Sequence, residues 1–65
     1  MRANRKRLEI AMAKACIEPD ALAKAADMPR PTLNNVISGK SVRPATLGRV
    51  ARALGVDVEE IMEEE

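Results

Sequence analysis

The sequence has no Phe, Trp, Tyr or His, and its 65 residues include one Cys and three Gly. Without aromatics, a core must be built from Leu, Ile, Val, Met and many Ala, which favours closely approaching helices over a sheet sandwich that needs bulky β-formers. The expected fold class is all-α. The lack of His removes the most frequent general base. No Cys–His or Ser–His pair and no glycine-rich phosphate loop is present, and so short a chain leaves no room for a deep cleft. An enzyme is therefore the poorest fit. The lone Cys16 can make neither an internal disulfide nor, by itself, a metal site, which fits a reducing compartment. It reads as a buried or half-buried thiol, because a redox sensor needs an exposed, electropositive setting. No apolar run approaches the roughly 20 residues of a membrane span, and no signal-peptide pattern is present. The expectation is one small cytoplasmic domain over residues 1–65, with no membrane contact, cofactor, metal or small-molecule ligand.

What is present is a lopsided charge pattern. The formal net charge is only +1, yet residues 1–52 carry all eleven basic residues against four acidic ones (Glu9, Glu18, Asp20, Asp27), while residues 53–65 carry six acidic residues and no basic one. A basic body and an acidic end follow. The electrostatic part of nucleic-acid affinity comes from locally neutralised phosphates and not from overall charge, so such a body suits a phosphate backbone. The acidic end is expected to face solvent or a partner. Its Glu59 to Glu65 cluster lacks a loop with staggered oxygen ligands and reads as solvated, not as a cation site.

Hydrophobic spacing divides the chain into five helical segments. The first runs from about Asn4 to Ala15, with Leu8, Ala11, Met12 and Ala15 on one face. Arg5, Lys6 and Arg7 stand at its positive dipole end, a placement that an external anion such as a DNA phosphate would relieve. A second segment from about Asp20 to Ala26 follows Pro19, with Ile17 anchoring the junction. The third covers about residues 30–37, after the turn at Asp27 to Arg30, and places Leu33, Val36 and Ile37 inward before Gly39 stops it. A fourth starts at Pro44 and carries Leu47, Val50, Ala51 and Leu54 to Gly55. The fifth is capped by Asp57, with Glu60 completing a capping box, and sets Val58, Ile61 and Met62 on the body. Glu63 to Glu65 are expected to fray. Leu22, Ala26, Leu33, Val36, Leu47, Val50, Leu54, Val58 and Ile61 form the expected core.

The second and third segments, joined by a tight turn over LAKAADMPRPTLNNVISGK, have the layout of a DNA-reading helix-turn-helix. Together with the rest of the chain they resemble the Cro/C1-type (XRE-type) helix-turn-helix family, and in particular lambdoid phage repressor DNA-binding domains. The landmarks are Leu22-Ala23, Asp27-Met28, Thr32-Leu33, Gly39-Lys40, Arg43-Pro44 and Ala53-Leu54-Gly55-Val56; their order and spacing together are specific, although each alone is weak. The resemblance implies a compact five-helix lambda-repressor-like domain whose third helix lies in the major groove of a palindromic operator, bound as a homodimer. It places base contacts at Arg30, Pro31, Thr32, Asn34 and Asn35, and phosphate contacts at Ser38, Lys40 and Arg43. The chemistry agrees: Arg pairs with guanine O6 and N7, Asn with adenine N6 and N7, and the Thr methyl meets the thymine methyl, while compact cations grip the backbone.

Departures from the family pattern are equally specific. Pro19 stands where many relatives have a backbone-touching Gln, Asp27 and Cys16 stand where Gly commonly ends a helix, and Pro29 replaces a capping Ser or Thr. Met12 and Ile37 replace an Arg and Glu pair, so these two are expected to touch. The implied function is sequence-specific binding of double-stranded DNA by a transcriptional regulator, in particular a repressor from a bacterium, phage or mobile element. The competing function is a protein-interaction adaptor or antitoxin-like module on the same fold. That alternative would place apolar anchors on the third helix, where Arg30, Thr32, Asn34 and Asn35 stand instead.

Overall fold

Asn4 sets the start of the first helix. Its backbone is extended and its side-chain Oδ1 accepts a hydrogen bond from the Arg7 amide at 3.0 Å, satisfying one of the donors that a helix start leaves free. From there α1 runs over Arg5–Ala15 in the computed structural model, which describes residues 1–64. Leu8 and Ala11 are buried and Met12 is half-buried against the core, while Ala15 is exposed. Three further helices follow: α2 over Pro19–Ala25, α3 over Arg30–Ile37 and α4 over Pro44–Leu54. Each has a proline in its first turn and none has a side-chain cap. Proline substitutes for the cap by fixing φ where the missing N–H would find no helical partner.

All four helices stop by the same device. A residue in the left-handed region reverses the chain, its N–H and the next one bonding back to carbonyls of the last turn. The reversing residues are Cys16 (φ 54°), Asp27 (φ 54°), Gly39 (φ 83°) and Gly55 (φ 72°). The closing bonds are Ile17 to Met12, Met28 to Ala23, Lys40 to Asn35 and Val56 to Ala51, all 3.0–3.1 Å. Cys16 thus occupies a glycine-type corner, with its thiol exposed. This corrects the expectation of a buried or half-buried thiol: the turn needs the backbone of residue 16 and directs its neighbour Ile17 inward instead.

The fifth helix also requires correction. Past α4 the described residues make a single 3-10 turn, Val58–Glu60, in which the Glu60 carboxylate accepts from the Asp57 amide at 2.8 Å. Continuation is blocked by the other end of the chain. Ala3 forms an antiparallel bridge with Met62, the Asn4 amide donates to the Ile61 carbonyl at 2.7 Å, and the Glu63 amide donates to the Arg2 carbonyl at 2.8 Å. These bonds occupy backbone groups that a further helical turn would use, and glutamates crowding a helix C-terminus would oppose its dipole. Glu63 is therefore held rather than frayed; Glu65 lies outside the described residues.

The core is purely apolar. Leu22, Leu33, Val36, Leu47, Val50 and Ile61 have no exposed surface, Leu54, Ala26 and Ala3 are buried with them, and Val58 is half-buried at the margin. Among the described residues no polar or charged residue is buried. Helix α2 packs on both α3 and α4, while α1 and the 3-10 turn lean on α4. Met12 and Ile37, expected to touch, are both half-buried against this one cluster. No helix among the described residues is long and apolar enough to cross a membrane.

Candidate nucleic-acid interface

The outer face of α3 follows from its inner one. Leu33 and Val36 are buried and Ile37 is half-buried, so helical periodicity turns Pro31, Asn34, Asn35 and Ser38 outward. All four are exposed, as is Arg30 at the first position; Thr32 is half-buried on the flank. Of the five expected base-reading residues, four thus lie on the open surface and Thr32 at its edge.

Two of these residues are tied together. Arg30 Nε donates to Asn34 Oδ1 at 2.9 Å, one turn further along α3, and Arg30 Nη1 pairs with the Asp20 carboxylate on α2. Asp20 is a neighbour of the expected base readers that its place in the sequence did not reveal. Asp20 stands in the first turn of α2, where a carboxylate favours the helix dipole, and ten residues separate it from Arg30. Only the packing of α2 on α3 brings them into reach.

The far end of α3 gathers cations. Gly39 turns the chain so that the Lys40 amide bonds back to the Asn35 carbonyl at 3.0 Å, which seats an exposed lysine at the negative end of the helix dipole. Ser38 Oγ donates to the same carbonyl at 3.1 Å. Its proton is engaged there, so in this rotamer Ser38 offers a phosphate no donor from its side chain. Arg43 is the residue preceding α4; its carbonyl accepts from the Thr46 and Leu47 amides, and its side chain is exposed.

The loop between Lys40 and Arg43 is pinned from an unexpected quarter. The Val42 amide donates to the Met1 carbonyl at 2.7 Å, and the Met1 amino group donates to the Val42 carbonyl at 2.9 Å. Arg5 lies against the same turn: its Cγ and Cδ lie 3.8 and 3.9 Å from where a Cβ on Gly39 would stand. The sequence showed the misplacement of Arg5, Lys6 and Arg7 against the dipole but not that Arg5 lies over the end of α3. Its neighbour Arg7 faces the acidic end of the chain, 3.8 Å from Glu64, while Asn4 Nδ2 donates to Glu63 Oε2 at 3.3 Å. The acidic end thus folds onto the start of α1.

Two packed helices, a tight turn, a polar outer face and a cationic rim define a helix-turn-helix unit built to meet a polyanion. Residues 7–65 match the family of the Cro/C1-type HTH DNA-binding domain, and the chain belongs to that family. No curated protein and no solved structure matches it. The match begins after Met1 to Lys6, the segment that supplies Arg5 and pins the loop at Val42.

Proposed function

We propose that this chain, a single domain over residues 1–65, is a sequence-specific transcription regulator that seats α3 in the major groove of an operator in the cytoplasm. In this reading Arg30, Pro31, Thr32, Asn34 and Asn35 meet base edges, while Lys40 and Arg43, joined by Arg5, meet phosphates; Ser38 joins them only by turning its hydroxyl away from the Asn35 carbonyl. The observation that carries the reading is the exposed run Arg30, Pro31, Asn34 and Asn35 above a fully apolar inner face. An adaptor would need an apolar anchor on that helix. The large hydrophobics exposed among the described residues are Met1 and Ile10, neither of them on α3.

Repression is the simplest outcome, since occupying an operator blocks other proteins without any additional surface. The domain presents one recognition helix, the eight-residue α3, about 12 Å long and far short of the roughly 34 Å between half-sites one helical turn apart. Reading a palindrome therefore takes two copies, in keeping with a homodimer on DNA.

Titrating the protein into mixed duplex DNA across a salt series tests the proposal. Affinity should fall log-linearly with salt, by about 0.9 in slope for each phosphate neutralised. Absence of binding at low salt would overturn it. Selection from random duplexes should then recover a palindrome, and failure to enrich any sequence would remove the claim of specificity.

A further inference from the structure

We infer that Asp20 is a positioning residue for the base-reading end of α3: it holds Arg30 so that the guanidinium meets DNA as a hydrogen-bond donor to a base and not as a free cation to phosphate. This rests on the DNA-reading role proposed above. The motivating geometry is a chain of three exposed side chains, with the Asp20 carboxylate accepting from Arg30 Nη1 and Arg30 Nε donating in turn to Asn34 Oδ1. Of the two ion pairs among the described residues, this is the one that involves a proposed base reader.

Each link has a chemical consequence. Arginine can only donate, so its bond fixes the Asn34 amide with Oδ1 toward Arg30, leaving both Nδ2 protons for other acceptors. Two of the five guanidinium N–H groups are engaged, and the other three suffice for the O6 and N7 of a guanine. The charge changes more than the donor count. An adjacent carboxylate offsets the attraction of Arg30 for phosphates anywhere along a duplex, but leaves its remaining donors for a correctly placed base. Asp20, with 85% of its side chain exposed, thereby lowers affinity for every sequence and raises the contrast between right and wrong ones. Arg30, at 44% exposure, retains open surface for the base contact.

A simpler role must be separated from this one. An acid in the first turn of α2 favours that helix whatever Arg30 does. A double-mutant cycle distinguishes them: wild type, Asp20→Asn, Arg30→Ala and the double variant, titrated against the duplex recovered by selection and a scrambled duplex of the same length. Asp20→Asn keeps the shape and removes the charge. It should bind the scrambled duplex roughly fivefold more tightly at low salt, steepen the salt slope by about 0.9, and narrow the preference for the selected duplex. Asp20→Glu should restore wild-type preference.

In the Arg30→Ala background Asp20→Asn should change neither affinity nor slope. An effect of equal size in that background would show Asp20 acting directly on phosphate and overturn the inference, as would an unchanged preference in the single variant. A wild type that discriminates while the cycle stays flat removes this inference alone; a wild type that binds neither duplex removes the DNA-reading role itself. Circular dichroism checks the fold of each variant, and Asp20→Ser, which keeps an oxygen at the start of α2, takes the place of Asp20→Asn should that variant unfold.

Discussion

The four helix ends share one backbone geometry but not one chemistry, and the contrast separates scaffold from site. At the ends of α1, α2 and α4, the residue after the left-handed position is Ile17, Met28 or Val56, each half-buried against the core. Each is bonded back to an apolar residue of the last turn: Met12, Ala23 or Ala51. This is the hydrophobic contact that usually accompanies such a cap. At the end of α3 the corresponding pair is Asn35 and Lys40, both exposed. The same fold-determining turn has been released from packing there, and its two residues are those expected to meet DNA. A second contrast crosses the first: Gly39 and Gly55 adopt positive φ at little cost, while Cys16 and Asp27 do so with side chains, at about 1–2 kcal/mol for an ordinary residue and less for Asp.

The comparison can be broken at its scaffold side first. Ile17→Ala removes the apolar contact that closes the α1 corner and should cost about 2 kcal/mol, lowering the melting temperature by about 10 °C in a domain of this size. A negligible shift in a thermal melt would mean that the corner is held by its backbone bonds alone.

Next come the glycines. Gly39→Ala and Gly55→Ala should each cost about 1–2 kcal/mol through backbone conformation. A Cβ at Gly55 meets nothing within 4 Å, and at Gly39 the nearest atom is Arg5 Cγ at 3.8 Å, an ordinary contact. Similar losses in denaturant titrations are expected, and a markedly larger loss at Gly39 would point to packing against Arg5 instead.

The strained corners should move in the opposite direction. Cys16→Gly should gain about 1 kcal/mol and Asp27→Gly less, since Asp tolerates the left-handed region better. A loss of stability at position 16 would show that the thiol makes a contact worth more than the strain. The smallest stability change is expected at the released corner: Lys40→Ala should leave unfolding within about 0.5 kcal/mol of wild type. The same variant should weaken binding to all duplexes alike and flatten the salt slope by about 0.9. A sequence-selective loss would move Lys40 from the phosphate group to the base-reading group.

Much of this was readable along the chain, for reasons that are local. The spacing of Leu33 and Val36 fixes which side of α3 turns inward, so the exposure of Asn34 and Asn35 follows from a 3.6-residue period. Prolines at 19, 31 and 44 and glycines at 39 and 55 mark starts and stops through their own φ preferences. The thiol of Cys16 was misplaced because a small apolar residue is usually buried, and here the demand of the corner for a left-handed residue prevailed. The expected fifth helix has a valid capping box, but its continuation lost to pairing with a segment nearly sixty residues earlier. Arg5 and Asp20 were legible as charges but not as parts of the site.

The sequence by itself determined the helices, their stops and the polar face of α3, because those depend on rotamers, ring closure and periodicity within a few residues. Only the tertiary structure decided that Asp20 holds Arg30, that Arg5 overlies Gly39, that Met1 pins the loop at Val42 and that Ala3 cuts short the last helix. Each of these joins residues well separated along the chain, and such pairs meet only after the apolar faces of α2, α3 and α4 have been buried together. That burial, cooperative across the whole core, sets distances that no local window contains.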